Sequence, residues 1–266
     1  MATLNENTVW GDPSNIAGSN MKPVQFYSPY GYRAKIGLII PSTNTVNEPE
    51  FNKLSPDGIS IHSARIKLLG KATKESYKAM VGETERAASE LATAEPDVIA
   101  WGCTSGSFII PSSQIEGQIQ KASGIPAVTT SNAVLGAIKA LGVSKIALGT
   151  PYVEFVNTEE VTFLEKNGIK VVSRYGLELG KTQEERRGIG RVPPESLYRF
   201  AHFINSKEAD AIFLSCTNLA TIQYIKELEE QLKKPVISSN QATYWACLRK
   251  LGLIDNLVDY GSLFEY

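Results

Sequence analysis

An internal duplication constrains this chain more than any other feature. Lys35-Ile-Gly-Leu-Ile-Ile-Pro41 returns 110 residues later as Lys145-Ile-Ala-Leu-Gly-Thr-Pro151. Ile125-Pro-Ala-Val-Thr-Thr-Ser-Asn132 returns as Lys234-Pro-Val-Ile-Ser-Ser-Asn240, with Pro126 and Pro235 separated by 109 residues, and Ala140-Leu-Gly142 returns as Lys250-Leu-Gly252. Two cysteine segments, Asp97-Val-Ile-Ala-Trp-Gly-Cys103-Thr-Ser and Asp210-Ala-Ile-Phe-Leu-Ser-Cys216-Thr-Asn, lie 113 residues apart. One such match would carry little, because short apolar strands look alike. Four landmarks in one order at nearly one spacing mark two copies of a single unit.

Each copy alternates strand and helix. Apolar runs expected as strands are Ile36–Ile40, Ile59–Ile66, Val98–Trp101 and Ala127–Thr129, then Ile146–Leu148, Val171–Ser173, Ala211–Leu214 and Val236–Ser238. The runs preceding the cysteines are hydrophobic on both faces, as buried parallel strands are. Thr73 can cap a helix carrying Tyr77, Met80, Val81, Ala88 and Leu91 on one face and ending before Pro96. Further helices are expected after Cys103 and over Ala133–Ala140, Val153–Asn167, Pro194–Ser206, Leu219–Leu232 and Ala242–Leu251. This alternation implies an α/β fold with two right-handed parallel sheets.

Both cysteines thus stand at the carboxyl ends of strands, where open α/β sheets place their ligands. A thiol with an ordinary pKa near 8.5 needs help to act as a nucleophile at neutral pH. No histidine adjoins either cysteine, so the candidate activator is the start of the following helix, whose free N–H groups favour an anion. Gly102 and Gly106 permit tight turns around Cys103, and Thr104, Ser105, Thr217 and Asn218 add donors for a carboxylate or an enolate-like oxygen. A lone cysteine is more often a small buried apolar residue, and Cys247, beside Trp245 and Leu248, reads that way. A matched pair argues for a site. Asn44 and Tyr152, after the first strand and its duplicate, would enter the same cleft if the halves face one another. The alternative is that these Pro-, Ser- and Asn-rich loops only form turns. His62 and His202 read as structural and Glu184-Glu-Arg-Arg187 as a solvated loop, with Arg191 beyond it able to reach an acidic ligand.

Composition removes several function classes. The chain has 266 residues and a formal net charge of −1, which gives no whole-chain attraction to nucleic acid or anionic membrane. No apolar stretch approaches a bilayer span, and the first residues lack a secretory pattern. Three dispersed cysteines suit a reducing, cytoplasmic setting. With two histidines and no Cys-x-x-Cys, no metal site is expected. Residues 1–34 lack sustained periodicity and form an N-terminal extension. It reads either as a partly disordered arm or as a strap in which Trp10, Phe26, Tyr27, Tyr30 and Tyr32 anchor on a second copy in a homo-oligomer.

The segments Ile36-Gly-Leu-Ile-Ile-Pro-Ser-Thr-Asn-Thr45, Gly102-Cys-Thr-Ser-Gly106, Gly149-Thr-Pro-Tyr152, Ile189-Gly-Arg-Val-Pro-Pro194, Ser215-Cys-Thr-Asn-Leu219 and Ser238-Ser-Asn-Gln-Ala242 together resemble the aspartate/glutamate racemase superfamily. Within it they are similar to the branch holding maleate cis–trans isomerase and arylmalonate decarboxylase. The resemblance spans about residues 33–252. It implies two pseudo-symmetric parallel-sheet α/β domains with the active site between them and the final helices swapped between halves. That gives residues 35–130 plus 238–266 as one domain and 131–237 as the other. It also implies no cofactor and no metal.

The branch's decarboxylases carry glycine at the first thiol position, whereas this chain has Cys103 as well as Cys216, like the isomerases and racemases. By that similarity Cys103 would add as thiolate to an alkene carbon of a small cis-dicarboxylate, and Cys216 would protonate the neighbouring carbon. Asn44 and Tyr152 would bind carboxylates, with Thr104, Ser105, Thr217 and Asn218 supplying hydrogen bonds. One departure stands out: the isomerases carry a substrate-binding asparagine shortly before the Ile-Gly-Arg segment, where this chain has Glu184-Glu-Arg-Arg187. The competing readings are a two-cysteine racemase of a small carboxylic acid, an arylmalonate-type decarboxylase and a non-enzymatic sensor closing on a small acid.

Overall fold

The computed structural model describes residues 28–266. The first half contains β1 (Ala34–Pro41), α1 (Asn47–Leu54), β2 (Ile59–Ile66), α2 (Lys74–Val81), α3 (Thr84–Ala92), β3 (Val98–Trp101), α4 (Thr104–Ile109), α5 (Ser112–Ser123), β4 (Ala127–Thr129) and α6 (Thr130–Ala140). The second contains β5 (Lys145–Tyr152), α7 (Glu154–Lys166), β6 (Lys170–Leu179), α8 (Gln183–Gly188), α9 (Pro194–Ile204), β7 (Ala211–Leu214), α10 (Ile225–Leu232), β8 (Val236–Ser238) and α11 (Ser239–Lys250). All strand pairings are parallel, in the orders β2-β1-β3-β4 and β6-β5-β7-β8. The repeated sequence landmarks therefore occupy identical topological positions. β3 and β7 are buried along their whole length, which places the chain directly after each of them at the carboxyl edge of its sheet. Every expected strand is present, and β6 extends to ten residues where three were expected.

Several helices differ from the sequence expectation. The helix begun at Thr73 has its cap, a reciprocal pair between Thr73 and Ser76, but breaks at Gly82-Glu83. Its two parts have different partners: α2 packs on α4, whereas α3 packs on β1, β2 and α5. One straight helix could not serve both. Pro111 likewise divides the helix after Cys103 into α4 and α5, because it lacks the N–H a continuous helix would need. The helix expected from Leu219 begins only at Ile225, after a 3₁₀ turn over Ile222–Tyr224. Glu50 on α1 captures the backbone N–H groups of Thr221 and Ile222 at 2.6 and 3.1 Å, so they are fixed across the two halves.

Helices α6 and α11 pack together, and each touches both β4 and β8. α11 also lies on α1 and β3 of the first half. A reciprocal cap between Ser238 and Gln241 starts α11 at its sheet edge. Of the aromatic residues suggested for the extension, Tyr30 and Tyr32 are exposed, while Trp10, Phe26 and Tyr27 lie outside the described residues. No helix among those described is long and apolar enough to cross a membrane.

Glu50 carries a testable consequence. Its carboxyl is buried and also accepts from Asn240 Nδ2 at 2.5 Å. Desolvation outweighs these donors and pushes its pKa up to about 7. Glu160, buried on α7, is pushed up to about 8 for the same reason. A carboxyl whose folded pKa is raised binds its proton more tightly in the folded state. The resulting stabilisation is complete below the ordinary carboxyl range and is lost as pH climbs through the folded value. Thermal melts should therefore fall between about pH 5 and about pH 8, and Glu50→Gln should flatten part of that slope. Glu50→Ala should cost about 3 kcal/mol, since it strands two buried N–H groups; chemical denaturation at fixed pH measures it.

Candidate active site

The turn after β3 carries Cys103 in extended conformation at the N-cap of α4. Gly102 is required there because of a close approach rather than an unusual backbone angle: a Cβ would lie 2.1 Å from Asn47 Oδ1. Gly106 similarly leaves room for the Trp101 ring, 2.4 Å from the position of its missing Cβ. Close packing, not the turn freedom expected from sequence, explains both glycines. The turn after β7 carries Cys216 with φ 131°, a region that side chains other than glycine rarely adopt. Such strain persists only where surrounding contacts over-determine it. Here the backbone N–H of Cys216 donates to Ser239 Oγ at 3.0 Å, and the next amide but one, that of Asn218, donates to its sulfur at 3.3 Å.

Hydrogen bonds stitch the two turns together. Thr104 Oγ1 donates to Ser239 Oγ at 2.8 Å, so Ser239 joins the Cys103 turn to Cys216. Thr217 Oγ1 donates to the Gly102 carbonyl at 3.0 Å and accepts from Asn44 Nδ2 at 3.0 Å. Asn218 Oδ1 accepts from the Thr45 amide at 3.0 Å. Asn44 serves both readings left open by the sequence. Its Oδ1 accepts the amides of Val46 and Asn47 and so shapes the start of α1, while the residue also lines the pocket.

Cys103, Cys216, Asn44, Thr104, Ser105, Tyr152, Thr217 and Asn218 all border one cavity between the sheet ends. All eight are buried. The structure thus gathers every residue singled out at the strand ends into one pocket. Cys247 is buried in the core instead, its thiol pushed up to about 12 by desolvation. His62 meets Ser60 at 2.9 Å on β2, and the His202 ring lies tilted against that of Tyr198; neither lines the pocket. Among the described residues no cluster of three or more His, Cys, Asp or Glu is placed to hold a metal ion.

The sequence reading missed three contributors. Tyr77, expected as an ordinary apolar-face residue of a helix, lines the pocket; its hydroxyl meets Ser105, and its pKa is pushed up to about 12, chiefly by burial. A tyrosine on a buried face needs a partner for its hydroxyl, and that was the available signal. Ser239 was hidden within a strand-to-helix junction. Arg186 requires a correction. Glu184–Arg187 is not a solvated loop: it belongs to α8, capped by Thr182, and Arg186 is 4 % exposed and borders the cavity. Its neighbours alternate outward, so charge density alone made the segment look solvated. Arg191 is exposed and lines a separate hollow with Arg187 and Gln183.

The two thiols sit in different fields. Burial raises Cys103, while the Gly106 amide, Ser105 and the Arg186 cation pull it down. Cys216 is pushed up to about 12 by burial; the Tyr152 hydroxyl and Asn218 amide oppose this, and the charges of Cys103 and Glu160 add to it. Both thiols are thus raised by burial, and only Cys103 has a cation, Arg186, among the groups that draw it down.

Residues 36–264 match the family model described as arylmalonate decarboxylase. The chain belongs to the arylmalonate decarboxylase family. Within that family it is 32% identical to the arylmalonate decarboxylase of Bordetella bronchiseptica over 236 residues, covering 86% of this chain and 96% of that protein. It is 28% identical to the maleate isomerase of Geobacillus stearothermophilus over 248 residues, covering 87% and 97%. The crystal structure of the maleate isomerase from Pseudomonas putida S16 with maleate aligns with a TM-score of 0.80 at 26% identity, covering 87% of this chain and 97% of that one. Family membership agrees with the resemblance carried by the strand-end motifs, and the matching structures agree with the two-sheet α/β fold.

Proposed function

We propose that this protein is a cofactor-independent cis–trans isomerase of maleate or a closely similar small dicarboxylate. The observation that carries the reading is the pair of buried thiols, one from each half, bordering one small cavity among hydroxyl and amide donors. Several relatives in the family are maleate isomerases. The substrate sits between two lobes, residues 35–130 with 238–266 and residues 131–237, a division in keeping with the packing of α11 on α1 and β3. All three cysteines are free, which suits the cytoplasm.

The chemistry balances without an added reagent. Cys103 thiolate forms a C–S bond to one alkene carbon, and the π electrons move to the neighbouring carbon, delocalising into its carboxylate. Cys216 gives its proton to that carbon and becomes the thiolate. The former double bond is now single and rotates, the step a rigid alkene forbids. Cys216 thiolate then removes the proton from that carbon, the double bond re-forms in the trans arrangement and the C–S bond breaks to regenerate Cys103 thiolate. Asn44, Ser105, Tyr152 and Asn218 bind the carboxylates and the enolate-like oxygens, while Thr104 and Thr217, whose hydroxyl protons go to Ser239 and the Gly102 carbonyl, shape the carboxylate pocket around them. Incubation with maleate followed by proton NMR should show fumarate accumulating; absence of turnover with maleate and other cis-dicarboxylates would overturn the reading.

A further inference from the structure

Arg186 is a buried cation without a counter-charge. It is 4 % exposed, yet the ion pairs among the described residues do not include it. Its protein partners are neutral: Nη1 donates to the Leu69 carbonyl at 3.4 Å, Nη2 to Ser76 Oγ at 3.0 Å, and the guanidinium lies 5.1 Å from the Tyr77 ring centroid. A guanidinium offers five N–H donors in a fixed fork, and the remaining ones meet no acceptor among the described residues. A buried charge is costly unless paired, so an unpaired one beside a cavity points to an anion that comes and goes.

Its surroundings give it a place in the site. The α8 segment is held rigidly: Thr182 accepts the Glu185 amide at 3.1 Å, and the Glu185 carboxylate accepts the amides of Gly180 and Lys181 at 3.1 and 2.7 Å. The Ala72 amide donates to the Gly180 carbonyl at 2.9 Å, joining the segment to the opposite half. Arg186 therefore projects from one half into a pocket whose Cys103 comes from the other, pre-positioned by backbone contacts rather than free to snorkel.

We propose that Arg186 is the carboxylate anchor of this pocket, forming a charge-assisted pair with one end of the substrate on the Cys103 side and setting specificity for dianionic over uncharged ligands. The inference rests on the isomerase reading only in taking the ligand to be a small dicarboxylate. An anchored end also suits the chemistry, because rotation after addition then swings the other end alone.

The test is calorimetric titration with succinate, a saturated four-carbon dicarboxylate that cannot react with a thiol, alongside maleate turnover by NMR. Arg186→Gln should weaken succinate binding by about 100-fold, with a matching rise of KM for maleate. Arg186→Lys should fall between the two, since it keeps the charge and loses the fork. Succinamide, the uncharged diamide, should bind weakly to wild type and equally weakly to Arg186→Gln. Equal succinate affinity in wild type and Arg186→Gln, or no succinate binding by wild type, would overturn the anchor while leaving isomerisation to be judged by NMR. Succinate binding that depends on Arg186, in a protein that leaves maleate unchanged, would sustain the anchor and remove the isomerase. Should the Gln variant not fold, Arg186→Lys decides: succinate affinity identical to wild type overturns the proposal.

Discussion

Cys103→Ala is expected to abolish conversion of maleate to fumarate, lowering kcat/KM by at least about 10⁴-fold, because the other thiol bordering the cavity, Cys216, is held as the neutral proton donor and does not form the bond that frees the alkene to rotate. The protein should fold normally, as a buried cysteine replaced by alanine loses little volume, and a thermal melt checks this. Intact mass after exposure to maleate should show no adduct. In the wild-type enzyme, burial holds the Cys103 thiol above its ordinary value despite Ser105, the Gly106 amide and Arg186. The reactive form is the thiolate, so kcat/KM should rise with pH from neutral into the alkaline range, and this limb should vanish with the thiol. Two-cysteine racemisation shares the sensitivity to Cys103 but would exchange an α-hydrogen for solvent deuterium. Decarboxylation of an arylmalonate needs only Cys216 and would survive Cys103→Gly. Proton NMR in heavy water with each substrate separates the three.

Cys216→Ser should give a different failure. The serine hydroxyl can still hand a proton to the carbon next to the new C–S bond, so addition proceeds. It is a far weaker base in retrieving that proton, so elimination stalls. Turnover should drop by at least about 10³-fold while the protein gains the mass of one maleic acid, located on Cys103 by peptide mapping. An adduct on Cys216 would reverse the assignment of roles. No adduct and full activity would show that the second thiol lies outside the chemistry. The assignment follows from the fields around the two sulfurs. The Arg186 cation draws the Cys103 thiol down against burial, whereas burial pushes Cys216 up to about 12 with the Glu160 charge adding to it, a group made to keep a proton until carbon needs it.

Much of this was legible in the residues themselves. The spacing of Lys35 to Lys145, Pro126 to Pro235 and Cys103 to Cys216 determined that two like units exist. Apolar runs such as Val98–Trp101 and Ala211–Leu214 determined that both are built on buried parallel strands, since a strand covered on both faces has no polar alternation to show. From those two facts, thiols at matching strand ends follow, and so does a polar cleft holding Asn44, Thr104, Ser105, Tyr152, Thr217 and Asn218.

Other features were settled only by the tertiary structure, because they depend on partners distant in the chain. The helix expected from Leu219 instead opens late, with a 3₁₀ turn at Ile222 whose leading amides are taken by Glu50, about 170 residues away. Gly102 is needed because Asn47 stands against it, which no local turn rule reveals. Arg186 lies in a run of charges indistinguishable by sequence from a solvated surface, and becomes a pocket residue only because Leu69, Ser76 and Tyr77 of the other half close over it. Local pattern determines which faces are apolar and how the chain alternates. Which polar side chain is drawn from water into the site is decided when two halves meet, because only then do a buried donor and its acceptors come within bonding distance.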